Sequence, residues 1–324
     1  MSDDEEWAFP ESLQPNPRET GFDLDQTLDA VVALRAEIPE DAFTASALGT
    51  ERAGNGVVIS EDGVVLTIGY LIAEAQQVWL STNRGGVVPA YPLAYDQATG
   101  FGLVRALGQF DAPSLVRCST AGCQPGDPVL VIGQGGRAHA LKAKVIARRE
   151  FAGYWEYVLD EALFTAPAHP NWGGTALVGE DGRLLGIGSL LLEEAVDGRS
   201  VQCNMVVPVD LLEPILENLL TTGVSGVPAH PWLGLYATDY TDHVVVAGLA
   251  GEGPAEQAGV ETGDMVLAVA GQPVSTLIQL FRLVWALGPA GTVVPLTLSR
   301  DGATLEMELR SADRTDFLKG PQLH

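Results

Sequence analysis

The sequence has no uninterrupted apolar run of the roughly 18 residues that a membrane-spanning helix needs. Its first residues, Met1-Ser2-Asp3-Asp4-Glu5-Glu6-Trp7, carry neither the basic nor the apolar region of a secretory signal. The expectation is therefore a chain that is neither exported nor inserted, with a cytoplasmic location and no membrane partner. Cysteine is scarce: Cys118, Cys123 and Cys203 are too few, and odd in number, for a disulfide framework. The Cys118 to Cys123 spacing is not that of a zinc ribbon or a thioredoxin motif, and no second pair of thiols or histidines stands ready to complete it. No metal and no cofactor are expected. Basic residues are also few. Only 18 Lys and Arg face 42 Asp and Glu, a formal charge of −24, which argues against nucleic acid and anionic lipid as partners.

What is present is enough for two domains: 324 residues, 46% hydrophobic, with glycine and proline spread along the chain. Residues 1–22 form an acidic tail whose large apolar groups are Trp7, Phe9, Leu13 and Phe22. Trp7 and Phe9 are expected to dock on a neighbouring subunit or on the body of the fold, since aromatics gain nothing in a free acidic tail. From residue 23 to 222 the pattern is a short helix at Leu24 to Ala30, capped by Asp23 or Asp25, then many short strands. These are Val31 to Ile38, Gly56 to Ile59, Val64 to Thr67, Val78 to Thr82, Val87 to Leu93 and Phe101 to Ala106. Val129 to Ile132, Lys142 to Arg148, Tyr157 to Leu159, Leu177 to Val178, Leu184 to Ser189 and Met205 to Pro208 complete them. Short strands at this spacing, divided by Gly, Asp and Pro, predict a mainly β barrel or sandwich. A helix is expected over Val209 to Leu220, stopped by Gly223. Residues 223–231 read as a linker, residues 232–312 as a second domain, and residues 313–324 as a peripheral tail.

The most informative stretch is His169-Pro170-Asn171-Trp172-Gly173-Gly174-Thr175-Ala176, a glycine-containing turn that leads into a hairpin at Asp181-Gly182. It resembles the Gly-Asn-Ser-Gly-Gly stretch of HtrA/Deg-type serine proteases, in which the Ser is the nucleophile. Three further stretches carry the resemblance. Gly54-Asn55-Gly56-Val57-Val58-Ile59 is similar to that family's Gly-Ser-Gly-Val-Ile-Ile strand. Leu66-Thr67-Ile68-Gly69-Tyr70-Leu71 is similar to its Leu-Thr-x-x-His-Val, and Asp96-Gln97-Ala98-Thr99-Gly100-Phe101 to its Asp-x-x-Thr-Asp-Leu. The resemblance implies a chymotrypsin-like double β-barrel. It also places Tyr70 where the family has the general base, Gly100 where it has the orienting Asp, and Trp172 where it has the nucleophile. Pro170 stands where a Gly N–H would line the oxyanion hole, and proline has no N–H to give.

A phenol with a pKa near 10 is a poor base at neutral pH, glycine orients nothing, and an indole cannot attack a carbonyl. Losing a whole triad costs a serine protease about 2 × 10⁶ in turnover, roughly 8–9 kcal/mol of barrier. A lost oxyanion donor adds about 3 kcal/mol. No catalytic residues are therefore expected. The reading is a pseudoprotease that serves as a scaffold, adaptor or accessory subunit, alone or as a homo-oligomer. The alternative is a serine-type, unconventional or partner-activated peptidase, with His169 paired to Cys203 or Tyr70. Trp172 either fills the vacated cavity or anchors a partner. Gly133-Gln134-Gly135-Gly136 lacks the lysine of a phosphate loop and reads as a turn between strands.

The block from Trp232 to Ala312 is similar to a bacterial PDZ domain, an α+β fold. That resemblance implies capture of C-terminal peptides by strand addition. The carboxylate would meet the amides of Leu233, Gly234 and Leu235, and the groove would be walled by Tyr236 to Tyr240 and by a helix from Ser275 to Leu287. Leu277, Leu280, Phe281 and Val284 of that helix recur at core spacing, so they either line the groove or form the core.

Overall fold

The computed structural model describes residues 7–196 and 198–320; the start of the acidic tail, residues 1–6, lies outside them. Two compact units are present. The first comprises the chain up to Arg149, Glu161–Gly226 and the end of the chain from Lys319, and the second comprises Glu150–Asp160 and Val227–Leu318. Residues 150–160, which the strand pattern places in the first domain, thus belong to the second unit. So do residues 313–318, where the ring of Phe317 lies 4.8 Å from that of Trp232.

In the first unit, α1 (Leu24–Asp29) is capped by Asp23, whose carboxylate accepts from the Gln26 amide. The strands β1 (Val31–Glu37), β2 (Glu51–Val58), β3 (Val64–Ile68), β4 (Gln77–Ser81), β5 (Val87–Tyr95) and β6 (Phe101–Ala106) follow, with a short α2 (Ala45–Leu48) after β1. They close a barrel in the order β1-β2-β3-β6-β5-β4. The second barrel is built from β7 (Pro128–Ile132), β8 (Ala140–Gly153), β9 (Tyr157–Ala166), β10 (Ala176–Val178), β11 (Leu184–Val196) and β12 (Arg199–Pro208). It closes in the order β10-β11-β12-β9-β8-β7. Its core holds Val131, Leu141, Leu163, Leu177 and Val206, with Phe9 and Leu13 packed against it. The segment after residue 6 therefore docks on the body of its own fold. The Phe9 amide donates to the Ala138 carbonyl, and the Lys142 amide to the Leu13 carbonyl.

Two sequence expectations need correction. Strands β8, β9, β11 and β12 run well past the apolar segments. Their alternation fades into charge, yet the backbone ladders continue, with β11 pairing to β12 out to Val196 and Arg199, and Arg148 on β8 meeting Glu161 on β9. The helix expected over residues 209–220 is broken into a 3-10 turn (Val209–Leu211) and α3 (Leu216–Thr222). Pro214 lies between them; it has no N–H, and its ring opposes the carbonyl of the preceding turn. Gly223 caps α3 in the left-handed conformation, as expected.

The second unit has a sheet in the order β13 (Leu235–Tyr240), β14 (His243–Leu249), β15 (Met265–Val269), β17 (Val293–Arg300), β18 (Ala303–Arg310), with β16 (Gln272–Pro273) paired to β15. Helices α4 (Pro254–Gln257) and α5 (Leu277–Trp285) accompany it. α5 starts two residues later than expected because Thr276 is its N-cap, accepting from the Gln279 amide. Leu277, Leu280, Phe281 and Val284 are all buried in the core of this unit. Among the described residues no helix is long and apolar enough to cross a membrane. Truncating Leu280, which is fully enclosed, to Ala is expected to destabilise this unit by about 2–5 kcal/mol. Urea unfolding of the full chain checks it; a loss below about 1 kcal/mol would contradict this packing.

Candidate functional site

The first barrel ends β3 in a 3-10 turn, Gly69–Leu71, that presents Tyr70. The turn is seated by the Gly69 amide, which donates to the Gly100 carbonyl at 2.7 Å. A Cβ on Gly69 would lie 2.1 Å from the ring of Tyr95, so only glycine fits there. Gly100 has φ +81° and turns the chain into β6, while the Asp96 side chain caps Thr99 beside it. Arg52 fixes Tyr70 from behind, donating to its carbonyl at 2.7 Å and to that of Ala73 at 3.1 Å. The Tyr70 hydroxyl donates to the Ser189 carbonyl at 2.8 Å. Burial pushes its pKa above the ordinary phenol value. A protonated phenol spent as a donor has no basic lone pair to offer at neutral pH.

The loop before β10 supplies the other half of the site. His169 is 1% exposed, and its own backbone is clamped on both sides by Asn204. Its Nδ1 accepts from the Asn171 amide at 3.1 Å, which requires the tautomer with the proton on Nε2; Nε2 then donates to the His139 carbonyl at 3.0 Å. Both ring nitrogens are therefore committed. Burial lowers the pKa to about 4, so the ring is neutral at physiological pH. The same geometry turns the Asn171 amide inward, next to a Pro170 that has none. Cys203 is fully enclosed, and desolvation raises its thiol pKa to about 11, the wrong direction for a nucleophile.

Asn55 holds the two barrels of this unit together at the site. Its side-chain amide donates to the carbonyls of Asn171 and Gly173, both at 3.0 Å, and its oxygen accepts from the Gln134 amide at 2.8 Å. Its backbone N–H donates to Gly173 as well, and its carbonyl accepts from the Thr67 hydroxyl. Gly174, at φ +78°, passes so close that a Cβ would lie 1.8 Å from the Asn55 carbonyl oxygen. The result is a cleft of about 440 Å³ lined by Trp7, Asn55, Tyr70, His139, Pro170 and Trp172 among others. Trp7 rests 4.4 Å from the ring of His139, and its ring and that of Phe9 both face His169. The structure thus brings Tyr70, Gly100 and the Pro170–Trp172 loop into one neighbourhood, with Gly100 reaching it through Gly69. Trp172 is half-buried at the cleft rather than enclosed as core.

In the second unit, the amides of Leu233, Gly234 and Leu235 converge on one point, helped by Gly234 at φ +74°. They meet the Glu156 carboxylate, at 2.9 Å from Leu233, 2.7 Å from Gly234 and 2.9 Å from Leu235. Glu156 is buried, and desolvation lifts its pKa to about 7 against the lowering pull of these amides and of Arg314. Tyr236 is half-buried and meets Tyr154 edge to face at 6.0 Å. Leu277 and Phe281 are enclosed, at 5% and 2% exposure, in the core cluster against which Ala152 and Val158 also pack.

Residues missed in the sequence are Arg52, Asn55, Glu156, Ser189 and Asn204. Two had a local signal: a β-poor Asn between Gly54 and Gly56 in a strand, and an acid beside Tyr154-Trp155 at a hairpin tip.

Comparison with known proteins agrees with this geometry. Residues 54–187 match the family Trypsin-like peptidase domain, and residues 231–310 match PDZ domain. The first barrel pair is thus a trypsin-like peptidase domain, and the second unit is a PDZ domain. The relatives that share this arrangement are HtrA-type proteases. A probable periplasmic serine endoprotease DegP-like of Halomonas elongata is 24% identical over 82% of this chain and 58% of its own length. The serine endoprotease DegS of Escherichia coli is 24% identical over 79% of this chain and 75% of its own. The chain therefore spans little more than half of the DegP-like relative. Among solved structures, the serine endoprotease from Yersinia pestis has a TM-score of 0.52 at 22% identity, covering 91% of this chain and 99% of that one. The HtrA-type protease AlgW with decapeptide has a TM-score of 0.53 at 19% identity, covering 92% and 98%.

Two outcomes follow from the clamp. Asn55→Ala leaves the Asn171 and Gly173 carbonyls and the Gln134 amide without this partner, and is expected to cost about 2–4 kcal/mol in thermal unfolding. Because His169 binds its proton more weakly when folded than the ordinary 6.5, the folded state is favoured fully above that pH and loses ground as pH falls toward 4. The loss is at most about 3 kcal/mol, and His169→Gln should flatten that limb of the stability–pH curve.

Proposed function

We propose that this chain is a non-catalytic member of the HtrA-like group, an adaptor or accessory subunit that holds protein partners through its protease-like body and PDZ domain. The observation that carries this reading is the Tyr70 hydroxyl donating to the Ser189 carbonyl. At the place where the resemblance puts a general base stands a proton donor that is already spent. Three further features support it. Trp172 has no nucleophilic oxygen, Pro170 has no amide, and the Asn171 amide is engaged by His169. The neutral, doubly bonded His169 and the enclosed Cys203 offer no substitute pair.

Casein and a peptide library, incubated with the purified chain, should show no multiple turnover, and a fluorophosphonate probe should leave it unlabelled. Trp172→Ser alone should stay inactive, since base, orienting acid and oxyanion amide are still missing. The fourfold change Tyr70→His, Gly100→Asp, Pro170→Gly, Trp172→Ser serves as the positive control. Turnover by the parent chain that a serine- or cysteine-directed inhibitor abolishes would overturn the proposal. Its relatives are named serine endoproteases, which favours a second reading in which a partner rebuilds the site. Inhibitor-sensitive turnover that appears only with added native extract would support that reading instead.

A further inference from the structure

The amide cradle of the PDZ domain already contains a carboxylate, and the chain itself supplies it. Glu156 is the last residue of a turn between β8 and β9, held at φ +62° so that its side chain enters the loop Leu233-Gly234-Leu235. The segment behind it follows the neighbouring strand and helix. The Ala237 amide of β13 donates to the Tyr154 carbonyl at 3.1 Å. Ala152 and Val158 pack against the unit's core. Arg282 on α5 reaches Glu150 at 3.1 Å and Asp160 at 2.7 Å, the two ends of the segment. A backbone hydrogen bond to β13, contact with α5 and a carboxylate in the amide loop are each contacts that a strand-adding peptide would make.

We propose that Glu156 is a resident ligand of this cradle, and that residues 150–160 must be displaced before a peptide with a free C-terminal carboxylate can bind. This rests on reading the second unit as a peptide-binding module, and it stands whether or not the first unit hydrolyses anything. Each inward amide takes one strong acceptor, so a peptide carboxylate and the Glu156 carboxylate exclude one another. The tip is also held by the Ala237–Tyr154 hydrogen bond and by the packing of Ala152 and Val158. Its ion pairs with Arg282 are solvent-exposed, with Asp160 at 84% side-chain exposure, and such pairs contribute little. Glu156 is the attachment that a peptide carboxylate would replace directly. Once it leaves, Arg282 loses both acids, and Arg314 loses the Trp155 carbonyl it holds at 3.3 Å. The buried Nε of Arg314 has no hydrogen-bond partner even with the tip in place. Two arginines flanking an emptied groove select an acidic peptide.

The test compares full-length parent, E156A and E156Q by amide hydrogen exchange, and by fluorescence polarisation with acidic peptides randomised at their last four residues. Each peptide is used as the free acid and as the C-terminal amide, alongside a basic set. Because a self-occupied groove lowers apparent affinity by its open fraction, E156A should bind acidic free acids about tenfold or more tightly than the parent. Amidated and basic peptides should gain nothing. In the parent the Leu233, Gly234 and Leu235 amides should be protected; in E156A that protection should fall about tenfold while Leu296 and Leu298 keep theirs. E156Q keeps the side-chain length without the charge, and decides the matter if E156A also loosens β17. Free exchange at the three amides of the parent would overturn the proposal. So would equal peptide affinity in parent and variants, or no binding by any of them. A failure of the non-catalytic reading would appear only in the turnover assays.

Discussion

Backbone N–H groups turned inward, away from strand or helix partners, must be met by some acceptor, because leaving them bare in a dry interior costs more than most contacts return. Both sites of this protein are arranged around that constraint. In the first unit, the ring of His169 and the side chain of Asn55 meet amides of the 133–171 loops. In the second, Glu156 meets three amides at once. In a binding or catalytic site such amides are kept for a ligand. Here the chain answers them with its own side chains.

The consequence in the peptidase-like domain is a cleft that keeps its frame while its reactive groups are internally satisfied. Arg52, Gly69 and Asn55 still hold two loops in register, and glycines at 69 and 174 still allow backbones to approach closely. What faces the opening is a phenol turned onto a carbonyl and an indole, with a second indole, Trp7, lying over His139. Aromatic faces of this kind are what the proposed protein-binding role would use.

Much of the fold was legible. The short alternating strands, the Asp23 cap, the Gly223 stop and the turn glycines are local signals, and local signals decide local structure. The broken helix was legible in principle too, since Pro214 stands in its middle. The extended hairpins were not, because beyond the apolar segments the strands are held by backbone pairing, such as β11 to β12 out to Val196 and Arg199, which any residue type can supply. Leu277 and Phe281 had core spacing in the sequence, and the structure puts them in the core.

The sequence by itself determined which chemical groups stand at the site: a Tyr, a Gly, a Pro and a Trp, whose capacities follow from their covalent structure. It could not say which donors and acceptors those groups would meet. That His169 is a neutral acceptor, that Asn55 ties the barrels, and that an acid near residue 156 lies in a cradle about 80 positions onward are facts of three-dimensional proximity. Hydrogen bonds across 77 to 118 residues leave no periodicity and no spacing to read, because they depend on where the folded backbone brings two atoms within about 3 Å.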